Sequence, residues 1–164
     1  MLHIFMLYMC LRGRYNFMNM ERYGSYWEKS YRNQFSEDFD FLNFNKEVVK
    51  EKCSRHLIHA FDPSFIPKSG NKTEHTGWFY SGTSGKAMKG LEIGVIAAID
   101  VDANIALTIE AIQTPSPKEL KESGKTLINH YAQLIIDRKE PLQVCQNIWQ
   151  WMVILPNRIS FFQF

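Results

Sequence analysis

The sequence has 164 residues, enough for one modest domain or for a small helical module joined to part of a second domain. Apolar residues make up 45% and charged residues 22%, so the chain can bury a core and carries too little charge for wholesale disorder. The net charge of +2 excludes a histone-like binder and a globally acidic protein, but positive charge gathers locally: residues 1–35 carry five basic and two acidic groups, 61–90 four and two, and 91–164 six and eight.

In chain order, Met1 to Leu11 is apolar but only about half the roughly 20 residues that cross a bilayer. It meets Arg12 and Arg14 without a small-residue cleavage site, and reads as a core helix of a cytoplasmic protein with no membrane partner. Gly24 ends a following helix. Ser25 with Glu28 has capping-box spacing and predicts a helix from Tyr26 to Phe35, with Trp27, Tyr31 and Phe35 on its apolar side. Asn45 is placed to cap a helix over Lys46–Cys53, with Val48 and Val49 inward and Lys46, Lys50 and Lys52 in water. The front of the chain is thus three or four short helices.

The texture changes at Arg55. His56 to Phe61 predicts a strand that stops at Asp62-Pro63, because the residue before proline is pushed from helical geometry. Pro67 to Gly90 is rich in Gly and Pro and predicts a long loop or loose hairpin, flanked by Lys68, Lys72, Lys86 and Lys89. Leu91–Ile99 and Ile105–Ile112 predict a β-hairpin. A single helix is expected over Lys118–Asp137, with Leu120, Leu127, Ile128, Tyr131, Leu134 and Ile135 as its stripe. From Leu142 the sequence follows neither period. Cys10, Cys53 and Cys145 are odd in number and far apart, which suggests no disulfide framework and no zinc ribbon. The fold class expected is α+β.

Five segments in order, Arg12-Gly-Arg-Tyr-Asn-Phe through Arg22-Tyr-Gly, Tyr31-Arg-Asn-Gln-Phe, Ala60-Phe-Asp-Pro-Ser-Phe-Ile-Pro-Lys-Ser-Gly, Lys89-Gly-Leu-Glu-Ile-Gly and Glu110-Ala-Ile-Gln-Thr-Pro, resemble the front part of a DDE-type bacterial insertion-sequence transposase. The resemblance covers residues 10–141. It implies a helical DNA-binding module over 1–53, an incomplete ribonuclease-H-like α/β domain (strand, hairpin, helix) over 55–141, and a tail over 142–164 foreign to the family. In the intact family three acidic residues hold two Mg2+ or Mn2+ ions for DNA strand cleavage and transfer, since two metals activate the attacking oxygen and stabilise the leaving one. The first acid matches Asp62, the expected catalytic and metal-binding residue.

The second acid belongs to a segment resembling Tyr-Leu-Ala-x-Asp-Gly-Tyr-Phe, which the printed frame lacks. Back-translating Asn147 to Pro156 and dropping two bases spells Tyr or His, Leu or Met, Ala, Met or Val, Asp, Gly, and then triplets that allow Tyr and Phe. The expectation is therefore a frameshift between Pro141 and Gln146 and a chain that is catalytically inert. The alternative is a non-catalytic DNA-binding fragment that competes for element ends. Its partner would be double-stranded DNA, contacted by Arg12, Arg14, Arg22 and Arg32 with interleaved tyrosines and by Lys68; self-association belongs to the intact family.

The other polar candidates have blander readings. Asp100 and Asp102 are expected to be turn chemistry. Glu92 and Glu110 are expected to face solvent or a lysine across the hairpin. Cys53, His56 and His59 are expected to diverge rather than bind zinc. Ending the family sequence after the long helix leaves the first strand as an open edge, and Ile148–Leu155 is the stretch expected to cover part of it.

Overall fold

The computed structural model describes residues 2–70, 72–143, 151–155 and 158–162. Cys145, Gln146 and Ile148 lie outside the described residues. The chain divides into two compact units, Met1–Asp40 and Phe41–Phe164.

The first unit holds α1 (Leu2–Cys10), α2 (Phe17–Tyr23) and α3 (Glu28–Phe35). Their core is Ile4, Leu7, Leu11, Met20 and Tyr31, with Tyr8 and Phe17 packed against it. Asn16 caps α2 by accepting from the Asn19 backbone N–H at 2.8 Å, and Gly24 closes it. A Cβ on Gly24 would fall 2.0 Å from the Tyr31 hydroxyl oxygen, so only glycine lets the two helices meet here. The expected capping box at Ser25 does not form. Trp27 occupies the cap position of α3, and the Ser25 and Tyr26 amides donate instead to the Tyr31 hydroxyl, at 3.1 and 3.3 Å. Of the expected apolar stripe only Tyr31 is buried, while Trp27 and Phe35 are exposed.

The second unit opens with α4 (Phe41–Lys52), which begins well before Asn45. Asn45 is not a cap. It lies inside the helix, and its side-chain amide donates to the Ile109 carbonyl at 2.8 Å. Val49 is buried in the sheet core with Leu42 and Cys53 packed nearby, so the division falls at Asp40 rather than at Cys53.

The sheet contains β1 (Leu57–Pro67), β2 (Gly77–Ser81), β3 (Lys86–Asp100), β4 (Ile105–Gln113), β5 (Trp151–Leu155) and β6 (Arg158–Phe162). Long β3 pairs antiparallel with β1 on one side, and on the other with β2 along its first part and β4 along its second. β5 runs parallel to β1 over His59–Phe61 and pairs antiparallel with β6. The patternless tail therefore supplies two strands, and Trp151–Leu155 covers part of the β1 edge. Of the long loop or loose hairpin expected over Pro67–Gly90, the structure has a hairpin of β2 and β3, turned at Gly85 with φ of 64°.

β1 does not stop at Asp62-Pro63 but continues to Pro67. Beyond Phe61 its only described strand neighbour is β3, and such an edge is where a proline without an N–H is tolerated. The single helix expected after Ser116 is two, α5 (Pro117–Glu122) and α6 (Leu127–Gln143), separated at Gly124 with φ of 68°.

Alternation places Phe61, Ile96 and Ala98 on one face of the sheet, where Val49, Tyr131, Leu134, Ile135 and Leu142 complete the core. Phe61 is fully buried, and its ring lies 5.1 Å from that of Tyr131. The intervening β3 residues Ile93, Val95 and Ala97 are half-buried on the opposite face.

Candidate functional site

Three of the sequence motifs lie on three adjoining strands. Ala60–Pro67 on β1 is registered against Gly90–Ala97 on β3, and Glu110–Gln113 on β4 flanks the other side of β3. The glycines and phenylalanines of these motifs share one repeated geometry. A Cβ on Gly94 would lie 2.7 Å from the Phe61 ring, and one on Gly90 would lie 2.5 Å from the Phe65 ring. In each case an aromatic side chain crosses the diagonal of the ladder and lies over a glycine, which adds side-chain packing to the β1–β3 pairing.

Asp62 projects from the opposite face, beside Val95 in the register. It is exposed as a residue, yet desolvation against the sheet raises the pKa of its carboxyl. Among the described residues no three His, Cys, Asp or Glu side chains come close enough to hold a metal ion. Asp62 belongs to no such group, so the described residues do not supply the three acids of a two-metal site.

The other acids are built into the fold. Asp100 is 1% exposed and accepts from the Ser54 backbone N–H at 2.6 Å, the Ser54 hydroxyl at 2.8 Å, and the Asp102 and Ala103 N–H groups at 3.0 Å each. The Ser54 amide first, then that of Ala103, holds its pKa down at about 2. Its turn reading stands, with a second role of tying the α4–β1 junction to the hairpin. Asp102 lies 2.8 Å from His56 Nδ1 on the surface. His56 is exposed while His59 is 1% exposed.

Glu92 and Glu110 overturn the solvent expectation. Glu92 is 7% exposed and accepts a hydrogen bond from the Tyr131 hydroxyl. Glu110 receives a two-pronged contact from Arg138, at 2.6 and 3.1 Å. Both partners lie on α6, so these carboxylates orient that helix on the sheet. Sequence reading also passed over Ser116-x-x-Glu119, a capping box with Pro117 at the first helical position. Its Glu119 reaches the Ser116 hydroxyl at 2.7 Å and His75 at 2.9 Å, and the Ser116 hydroxyl is the main reason its pKa lies near 2. The spacing and the proline were the signals that could have found it.

The basic candidates separate. Arg12 and Arg14 flank Gly13, whose φ is 90°, in the α1–α2 connection, and the Asn19 side chain fixes this bend by donating to the Arg14 carbonyl at 2.7 Å. Both are exposed, as is Arg22 in the last turn of α2. Arg32 is already engaged: it pairs with Glu28, and its guanidinium lies 4.7 Å from the centre of the Phe17 ring. Tyr15 is 62% exposed and stacks on Tyr8, with ring centres 5.3 Å apart, whereas Tyr31 is core. Lys68 is exposed in the second unit, and its backbone N–H donates to the Lys89 carbonyl at 3.4 Å. Among the described residues no helix is long and apolar enough to cross a membrane. No family model, curated protein or solved structure matches the chain.

Proposed function

We propose that the chain derives from the front part of a DDE-type transposase and that its remaining activity is non-catalytic binding of double-stranded DNA through the first unit. The observation that carries this reading is the strand order. β1 lies inside the sheet, with β3 and β4 antiparallel on one side and β5 parallel on the other, and Asp62 follows directly on the stretch shared by β1 and β5. A ribonuclease-H-like domain has this central first strand, with a hairpin to one side and a fourth strand to the other. In such a domain the second acid stands on the strand occupied here by Trp151–Leu155, which contains no acidic residue.

Catalysis by this chain is not part of the proposal. One carboxylate cannot fix two divalent ions, and among the described residues Asp62 lies in no group of three or more side chains able to hold a metal. In the intact family Mg2+ or Mn2+ would supply activation of the attacking oxygen; here Asp62 contributes only a desolvated carboxyl group.

DNA binding rests on Arg12, Arg14 and Arg22, exposed arginines of the first unit that make no ion pair among the described residues, with Tyr15 beside them in sequence. Arg32 makes a weaker contribution because Glu28 already neutralises it. Three neutralised phosphates give a log–log salt slope of about −2.7. A gel shift of duplex DNA at several salt concentrations tests this. Binding with that slope, lost in an Arg12→Gln, Arg14→Gln, Arg22→Gln triple variant, supports the reading. No shift at low salt, or metal-dependent nicking of the DNA, overturns it.

A further inference from the structure

Helices α4 and α6 pack on one face of the second unit's sheet, where Val49, Tyr131 and Leu134 meet Phe61, Ile96 and Ala98. Strand alternation turns Ile66 of β1, Trp78 and Tyr80 of β2, and Ile93, Val95 and Ile99 of β3 to the other face. None of these six belongs to either core of the described residues, and Ile66 and Trp78 are 41% and 66% exposed. A contiguous apolar surface of this kind marks an interaction site, unlike apolar residues scattered singly.

Its size fits a protein partner. β1 is registered with β3 over all its 11 residues, about 36 Å, and three adjoining strands with their side chains are about 14 Å wide. The flat footprint is about 500 Å2, and side-chain relief brings the accessible area towards the roughly 600–800 Å2 per partner of a standard interface. Its charge points to a second copy. Only Asp62 and Lys89 are charged among the residues that β1–β4 place on this face, and they stand about 20 Å apart along the register. A two-fold axis lying in the face, midway between them and across the strands, carries each Asp62 onto the Lys89 of the other copy. The same rotation lays Trp78, the cross-strand neighbour of Lys89, over Val95, the cross-strand neighbour of Asp62. An acid and a base placed in this way satisfy each other in an isologous pair and fix its register.

We propose that this face binds a second copy of the chain, sheet on sheet about a two-fold axis, with the Trp78–Lys89 pair of each protomer seated on the Val95–Asp62 pair of the other. The two sheets then stack about 10 Å apart, as facing sheets do. The inference does not rest on DNA binding, and its test contains no DNA, so its failure and the failure of that reading are separate results.

The test is sedimentation equilibrium of the full chain from about 1 to about 100 μM. A dimer of twice 19.2 kDa is expected, with a Kd of about 10 μM or tighter. Val95→Lys should weaken it at least about tenfold, and so should Trp78→Lys, which alters an exposed position and reports even if the Val95 variant fails to fold. Asp62→Lys and Lys89→Asp should each weaken the dimer about tenfold by setting like charges together, and the two combined should restore it to within about threefold of wild type. Within one chain the two side chains stand too far apart to compensate each other, so restoration reports contact between copies. A monomer at about 100 μM, aggregation without a defined dimer, a dimer unchanged by Trp78→Lys, or a double variant as weak as the single ones overturns the proposal.

Discussion

Replacing His59 with leucine should remove about 2 kcal/mol of acid sensitivity between pH 7 and pH 5. His59 is 1% exposed on β1, and burial lowers its pKa from 6.5 to about 4. The unfolded chain takes up the proton near pH 6.5 and the folded chain only near pH 4, so the unfolded state binds more protons throughout this window. Stability contributed by the neutral ring is therefore complete above pH 6.5 and is lost progressively down to pH 4. The whole difference corresponds to about 3 kcal/mol, of which about 2 kcal/mol falls between pH 7 and pH 5. The depressed carboxylates act lower on the scale. Asp100 and Glu119, each near 2, keep their contribution until the pH drops below about 4. His130, lowered first by burial and then by Lys125, has the same sign as His59, but both proteins carry it. Urea unfolding of wild type and His59→Leu at pH 7, 6 and 5 isolates the one side chain. Parallel pH dependence in the two proteins would refute the burial argument.

Three further outcomes follow from packing and hydrogen bonding. Gly94→Ala places a methyl 2.7 Å from the Phe61 ring and should cost about 1–3 kcal/mol in urea unfolding; Phe61→Leu should then cost less in that background than alone, and simple additivity would argue against the aromatic–glycine contact. Tyr131→Phe leaves buried Glu92 without its donor and should destabilise by about 1–3 kcal/mol, whereas an unchanged midpoint would show that the carboxylate finds another partner. Asp100→Ala should lower the Tm and speed amide exchange at Ser54, Asp102 and Ala103, the three N–H groups that the carboxylate holds; retained protection at all three would contradict the clamp.

Local chemistry was legible where a short stretch decides its own structure. The hairpin of β3 and β4 follows from two β-prone runs around a polar turn, and Asp100 and Asp102 behave there as turn residues. Gly24 closes α2 as its position indicates. The α+β class follows from helical spacing at the front and β-branched runs behind it. Where two local signals compete, the sequence alone misleads. Ser25 and Glu28 have capping spacing, but the Tyr31 hydroxyl takes the free amides from inside the unit. Asp62-Pro63 resembles a strand end, but proline breaks a strand only if its missing N–H is needed, and among the described residues β1 has β3 alone as neighbour there.

The sequence by itself determined the α+β class, the β3–β4 hairpin and its turn residues, and the segregation of positive charge, because each depends on composition or on neighbours a few positions away. Tertiary structure decided which polar groups are structural and which stand free. Glu92 and Tyr131 are 39 residues apart, and Glu110 and Arg138 are 28 apart; periodicity cannot pair them, since their meeting depends on how α6 lies across the sheet. The sheet likewise decided that the patternless tail forms strands: β1 presents an open row of backbone groups at His59–Phe61, and Trp151–Val153 satisfies it by parallel pairing, which demands backbone hydrogen bonds rather than any particular side-chain pattern.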